Sequence, residues 1–209
     1  MKITAVEELS KSRSKVYLDG EFAFVLYKGE LRLYHIQVGQ ELSEADRNEG
    51  MTKVLPKRAK LRAMNLLKSR EYTEKQLHDK LRLDFYPEEV IQEALGYVAG
   101  YRYTDDLRYA VTYITDHENT RSRMRIEHDL LAKGISGDVL EKAWEEWEGL
   151  GGTQDEEAMI AKLLEKKNYN PENTDPKEYR RIYAFLMRKG FSGDSIRKVM
   201  KTKLDIRQI

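Results

Sequence analysis

The sequence predicts a mainly α-helical protein: three tandem three-helix repeats forming an elongated, curved body, preceded by a small module that contains a β-hairpin. Three observations carry this expectation. The phrase Lys133-Gly134-Ile135-Ser136-Gly137-Asp138 returns as Lys189-Gly190-Phe191-Ser192-Gly193-Asp194, a helix corner used twice. The apolar residues leading into each copy keep the same steps of four and five, as Ile126, Leu130, Ile135 and as Ile182, Leu186, Phe191. From Pro56 onward every segment has helical period, whereas residues 1–52 do not.

Taken in order, the first module (1–52) holds Lys15-Val16-Tyr17-Leu18-Asp19-Gly20-Glu21-Phe22-Ala23-Phe24-Val25, an Asp-Gly turn between two β-prone runs. Arg32–Ile36 reads either as a further extended stretch or, over Leu31–Tyr34, as a helical turn. Ser43 is placed to cap a short polar helix, with Asp46 at the capping-box distance. The first repeat (53–102) opens with Pro56 near a helix start, where a missing N–H costs nothing. Ala59, Ala63, Leu66 and Leu67 line its face and Arg70 lies in the last turn. Thr73-Glu74-Lys75-Gln76 is a capping box for the next helix, with Leu77 and Leu81. Pro87 starts a third helix, whose Val90, Ile91, Ala94, Leu95 and Val98 form a stripe. The steps Leu77, Leu81, Phe85 suggest a third corner, one residue shorter than the others.

The second repeat (103–152) begins with Thr104 as the cap of a helix carrying Leu107, Ala110, Val111 and Ile114. A middle helix carries Ile126 and Leu130 and stops at Gly134; Ser136 caps the last, with Val139, Leu140, Ala143, Trp144 and Trp147. In the third repeat (153–209) Thr153-Gln154-Asp155-Glu156 reads as a capping box ahead of Ile160, Leu163 and Leu164. Pro176 restarts a helix with Tyr179, Ile182 and Leu186. Gly190 stops it, and Ser192 caps the final helix with Ile196, Val199 and Met200.

Composition narrows the function classes. The 209 residues contain no cysteine, which excludes disulfides and thiolate metal sites and agrees with a reducing cytoplasm. Mean hydropathy is -0.72, and the sequence shows neither a signal-peptide run nor a membrane span. The net charge of +1 hides segregation. Pro56–Arg82 carries a net of +6, Glu141–Glu157 a net of -6 and Lys177–Ile209 a net of +7. Such runs are solvated helix faces or contact surfaces for a partner that presents both signs, a nucleoprotein rather than bare DNA.

No catalytic machinery is visible. The histidines, His35, His78, His117 and His128, are dispersed, with no zinc-ligand spacing, and no phosphate-binding glycine loop or nucleophile elbow occurs. Asp105 and Asp106 invite a metal reading, but two acids in a helix's first turn are explained by the macrodipole. Trp144 and Trp147 suit either the core or a stacking platform for bases. Tyr179 and Tyr183 beside Arg180 and Arg181 mark a place for phosphate or partner contact.

The stretch Tyr103-Thr104-Asp105-Asp106-Leu107-Arg108-Tyr109-Ala110 resembles the Tyr-Leu-Asp-Asp-x-Arg-aromatic-Ala signature of the RecX family of bacterial recombinase regulators, with Thr in place of Leu. Ala63-Met64-Asn65-Leu66-Leu67, then Arg70 to Leu77, is similar to that family's first-repeat pattern, and Lys133-Gly134-Ile135 fits its corner. The chain departs from the family at Asn119-Thr120-Arg121-Ser122-Arg123, where a basic residue and Gly are usual. Residues 1–52 resemble the extension of longer members.

The resemblance implies a non-enzymatic modulator; beside it, the composition points to the cytoplasm, and a monomer without a cofactor is expected. Such a protein lodges in the groove of the RecA–DNA filament and inhibits its ATP hydrolysis and strand exchange in recombination and DNA repair. Candidate partner or DNA contacts are Lys57, Arg58, Arg62, Arg121, Arg123, Arg125, Arg180, Arg181, Arg188 and Lys189. Tyr103, Asp105, Asp106 and Arg108 are candidates for fixing the joint between repeats. The alternative is a helical-repeat protein that binds nucleic acid directly, without RecA.

Overall fold

The computed structural model describes residues 1–200; Lys201, Lys203 and Arg207 of the last basic run lie outside the described residues. The chain divides into two units, Met1–Asp105 and Asp106–Ile209.

The first unit opens with an antiparallel sheet of order β1-β2-β3: β1 (Ile3–Glu8), β2 (Arg13–Leu18) and β3 (Glu21–Tyr27). The Asp-Gly turn joins β2 to β3 as expected, with φ of 49° at Asp19 and 90° at Gly20, the two left-handed positions that the strand twist demands. Strand β1 is an addition to the predicted hairpin. Of its six residues only Ile3 is buried, so it lacks the alternation that marks a strand. The open choice at Arg32–Ile36 resolves to a helical turn, α1 (Lys28–Leu33).

Ser43 caps α2 (Glu44–Glu49), its hydroxyl accepting from the Asp46 N–H at 3.0 Å. The chain then stays helical through a π-helical turn (Gly50–Val54) into α3 (Leu55–Leu67). Pro56 is the second residue of α3, near its start as expected, although the chain is already helical before it. The wider π turn directly precedes the proline, whose ring would clash with a regular preceding turn. Helix α3 ends before Arg70, which stacks its guanidinium 4.4 Å from the Tyr72 ring. Thr73 forms the expected capping box with Gln76 at the start of α4 (Glu74–Leu83), and α5 (Glu88–Gly100) buries all five residues of its stripe. Sheet and helices share one core, in which Val16 and Phe24 join Ala59, Leu77 and Ile91.

The corner after α4 is not shortened. Phe85 takes the left-handed position, φ 66°, that glycine occupies elsewhere, and the Tyr86 N–H returns to the Leu81 carbonyl at 3.3 Å. The anchor is thus Tyr86, five residues after Leu81, and all three corners keep the same steps. Phe85 is held in this conformation by Lys15, 4.5 Å from its ring, and by an edge contact with Phe22 at 6.1 Å.

The second unit contains α6 (Asp106–His117), α7 (Arg123–Ala132) and α8 (Gly137–Gly149), then α9 (Glu156–Lys166), α10 (Pro176–Arg188) and α11 (Gly193–Met200). Each trio has its own core, one around Ile114, Ile126 and Leu130, the other around Ile160, Leu186 and Ile196. Gly134 and Gly190 stop α7 and α10 in the same way. In each case the glycine N–H bonds to the carbonyl three residues back and the next N–H to the carbonyl five back, which sends Ile135 and Phe191 inward. Helix α6 begins at Asp106, with Thr104 buried two residues ahead of it. The cap of α9 is Asp155, whose carboxylate accepts from the Ala158 N–H at 2.9 Å, in place of Thr153.

Candidate functional site

A groove of about 710 Å³ lies in the second unit between the start of α7 and the end of α10. Arg121, Arg125, Arg188 and Lys189 line it, with His117 and Phe185 among their neighbours and Asp116 as its one lining carboxylate. Four cations that stand in two sequence clusters therefore meet on one surface.

Its floor is set by one serine and one glycine. Ser122, fully buried, is the N-cap of α7: its hydroxyl accepts from the Arg125 N–H at 3.3 Å and donates to the Lys189 carbonyl at 2.9 Å. The positive end of α7 thereby faces the negative end of α10. Gly190 makes this approach possible, because a Cβ there would fall 2.6 Å from the Ser122 Oγ. The corner glycine is a helix stop and a contact surface at once. The rim is equally fixed. Gln154 donates its side-chain amide to the carbonyls of Glu118 and Arg121, at 2.8 and 2.7 Å, and the Trp147 indole N–H donates to the Glu118 carboxylate at 2.8 Å.

Asp129 organises the cations. It accepts from Arg121 at 2.6 Å and pairs with Arg125 at 3.1 Å, while Arg121 also donates to the Tyr113 hydroxyl at 2.6 Å. Burial pushes the Asp129 carboxyl up, but the charge of Arg125 and the hydrogen bond and charge of Arg121 outweigh it, holding the group below the usual carboxylate range. Burial, reinforced by Asp129 and opposed by Arg121, raises the Tyr113 phenol. One carboxylate thus steadies two guanidinium groups and leaves an excess of positive charge. Arg188 is exposed, and Lys189 stands 5.7 Å from the Phe185 ring. Such a surface suits phosphates or acidic side chains.

The remaining sequence candidates lie elsewhere. Arg123 pairs with Glu127 and Glu148 and covers the Trp144 ring at 4.4 Å. Arg180 bonds to the Pro176 carbonyl and Arg181 to Glu178, on a part of α10 that does not line the groove. In the first unit Arg58 lies 4.4 Å over Tyr27 and bonds to the Val25 carbonyl and Glu30, fastening β3 to α3. Arg62 pairs with Asp84, which also holds Arg13, and Lys57 is exposed. Tyr103 stacks on Tyr101; Asp105 and Asp106 stand at the start of α6, with Arg108 exposed in its first turn.

Trp144 and Trp147 are 3% and 5% exposed, so both are core and neither is a stacking platform. Sequence reasoning missed Ser122, Gln154 and Asp129. Only Asp129 carried a local signal, the four-residue step from Arg125. Among the described residues no group of three His, Asp or Glu is placed to hold a metal ion, and no helix is long and apolar enough to cross a membrane.

Comparison with known proteins gives consistent matches. Models of the first and third three-helix domains of RecX match residues 59–97 and 155–200. The regulatory protein RecX of Clostridium botulinum (strain Alaska E43 / Type E3) is 30% identical over 98% of this chain and 97% of its own. That of Caldanaerobacter subterraneus subsp. tengcongensis is 30% identical over 96% of this chain and 98% of its own. A crystal structure of regulatory protein RecX superposes with a TM-score of 0.61 at 25% identity, covering 95% of this chain and 98% of that one. The RecX structure from Lactobacillus salivarius gives 0.59, also at 25% identity, covering 71% of this chain and 96% of its own. With its helical trios, N-terminal sheet and near full-length similarity to these relatives, the chain belongs to the RecX family of regulatory proteins.

Proposed function

We propose that this protein binds the RecA–DNA filament and modulates it, mainly by inhibiting ATP hydrolysis and strand exchange. The observation that supports this most is the convergence of Arg121, Arg125, Arg188 and Lys189 on one rigid groove in a chain whose relatives are regulatory proteins. A filament offers such a groove both phosphates and acidic side chains, and no bond-making chemistry is required of the protein. It acts by occupancy, as a monomer in the cytoplasm, and needs no cofactor.

The same cations also suit bare nucleic acid, so the test compares the two. Single-stranded-DNA-dependent ATPase of RecA is titrated with the protein while DNA binding without RecA is followed by anisotropy at physiological salt. Inhibition of the ATPase at concentrations that leave bare DNA largely free is the expected result. Tight binding to bare DNA with an unaffected ATPase would sink the modulator reading and leave direct DNA binding standing.

A further inference from the structure

The first unit carries an aromatic strip that starts at Tyr97, packed against the edge of the core, and ends in Tyr101 and Tyr103, which neither the core nor the basic groove uses. Tyr97 and Tyr101, both on the last turns of α5 and its cap, place their ring centroids 4.9 Å apart. Tyr103 follows at 5.9 Å from Tyr101, with ring planes within 18°. Tyr101 and Tyr103 keep 62% and 48% of their surface exposed. The backbone brings them together. Arg102 adopts φ 55°, its N–H bonds to the Ala99 carbonyl at 2.8 Å, and the Tyr103 N–H returns to the Val98 carbonyl at 2.9 Å. This is the turn that ends α7 and α10, where the equivalent residues, Ile135 and Phe191, are each 2% exposed and anchor a core. After α5 the same turn leaves its aromatic residue outside.

Lysines continue the strip. Tyr97 forms one wall of a shallow groove of about 300 Å³, whose other side presents Lys53, Lys57 and Lys60 at steps of four and three along the helix. Lys60 stands 5.3 Å from the Tyr97 ring and pairs with Glu93 at 2.7 Å; Lys53 reaches Glu49 at 3.9 Å. Lys57 is exposed and makes no ion pair among the described residues.

Open aromatic faces beside a row of cations match the two halves of an unpaired nucleotide, base and phosphate. We propose that this strip binds single-stranded nucleic acid, with bases stacked on Tyr101 and Tyr103 and phosphates along Lys57 and its neighbours. A duplex fits poorly, because its base faces are already stacked on one another. The strip shares no residue with the groove of the second unit and is independent of the RecA reading.

The test uses the full chain without RecA and a labelled oligodeoxythymidylate of about 20 nucleotides at about 0.15 M salt. A duplex of the same length serves as the comparison. The double variant Tyr101→Ala/Tyr103→Ala is expected to bind the single strand at least about tenfold more weakly, whereas Tyr101→Phe/Tyr103→Phe retains binding. The measurement is repeated in an Arg188→Glu/Lys189→Glu background, so that the other groove does not mask the loss. Duplex binding is expected to change less than about twofold, since stacking on exposed rings is not available to paired bases. Lys57→Ala is expected to lower the slope of log K against log salt by about 0.7. Helicity and melting are expected to stay at wild-type values, because both rings are exposed. Single-strand affinity unchanged by the alanine pair in both backgrounds overturns the proposal. So does an equal loss on the duplex, or a loss of RecA inhibition with unchanged single-strand binding, which would assign the strip to a protein partner.

Discussion

Replacing Gly190 with alanine probes how the second unit seats α10 against α7. Two separate effects operate at that residue. Its φ of 86° is left-handed, where a side chain costs about 1–2 kcal/mol, offset by about 0.4–1 kcal/mol from the reduced freedom of the unfolded chain. The new Cβ would also meet the Ser122 Oγ at 2.6 Å and the Arg125 backbone N at 3.2 Å. Ser122 must then move, weakening its cap of α7 and its bond to the Lys189 carbonyl, each of about 1 kcal/mol. The expected loss is about 2–4 kcal/mol. Gly151→Ala separates the effects, because Gly151 has φ 90° and nothing lies within 4 Å of where a Cβ would stand; there the loss should be about 1 kcal/mol. Both tryptophans of the chain, Trp144 and Trp147, lie in α8, so urea unfolding followed by tryptophan fluorescence reports the second unit selectively. Equal losses in the two variants would refute the close-approach argument.

Charge reversal at Arg188 and Lys189 should abolish most RecA inhibition while leaving helicity intact, whereas reversal at Arg180 and Arg181, off the groove, should have a smaller effect; the reverse ranking in an ATPase titration counts against the groove. Asp129→Asn should destabilise the protein by about 1 kcal/mol at pH 7, a modest figure because Arg121 and Arg125 are partly exposed. The folded pKa of Asp129 lies below the unfolded value of about 3.9, so its contribution is complete above that value and is lost as pH falls through the folded pKa. The gap between variant and wild type should therefore close in acid, and a gap constant from neutral pH downward would contradict the assignment. Thr73→Ala removes a fully buried cap of α4 and should cost about 1–2 kcal/mol in far-UV unfolding of the first unit, a loss below a few tenths meaning that the box is not a stabilising element.

Much of the fold was legible because it is decided within a few residues. The caps at Ser43, Thr73, Ser136 and Ser192, the glycine stops at Gly134 and Gly190 and the Asp19-Gly20 turn each satisfy backbone groups or a special φ locally. The helical stripes were equally plain, since a side chain three or four residues along stands on the same face. Where the sequence misled, a distant contact had overridden a local preference. Phe85 occupies a glycine position because Lys15 and Phe22, from the sheet, hold its ring. Strand β1 exists because β2 offers it an edge, although only Ile3 of its six residues is buried.

The candidate site divides along the same line. Basic runs near Arg121 and Arg188 are visible in the sequence, and so is the corner that repeats Lys-Gly-apolar-Ser-Gly-Asp. Sequence cannot say which of those charges are already engaged: Arg58 is taken up between Tyr27 and Glu30, and Arg123 covers Trp144. Nor can it say which of them meet. By itself the sequence determined three helical trios, most of their caps and the glycine stops, because backbone hydrogen bonding and helical period act over a few residues. Only the tertiary structure decided that Lys189 and Arg125, 64 positions apart, share one groove, because that depends on a buried serine bridging two helix ends and on a glycine with no side chain to keep them apart.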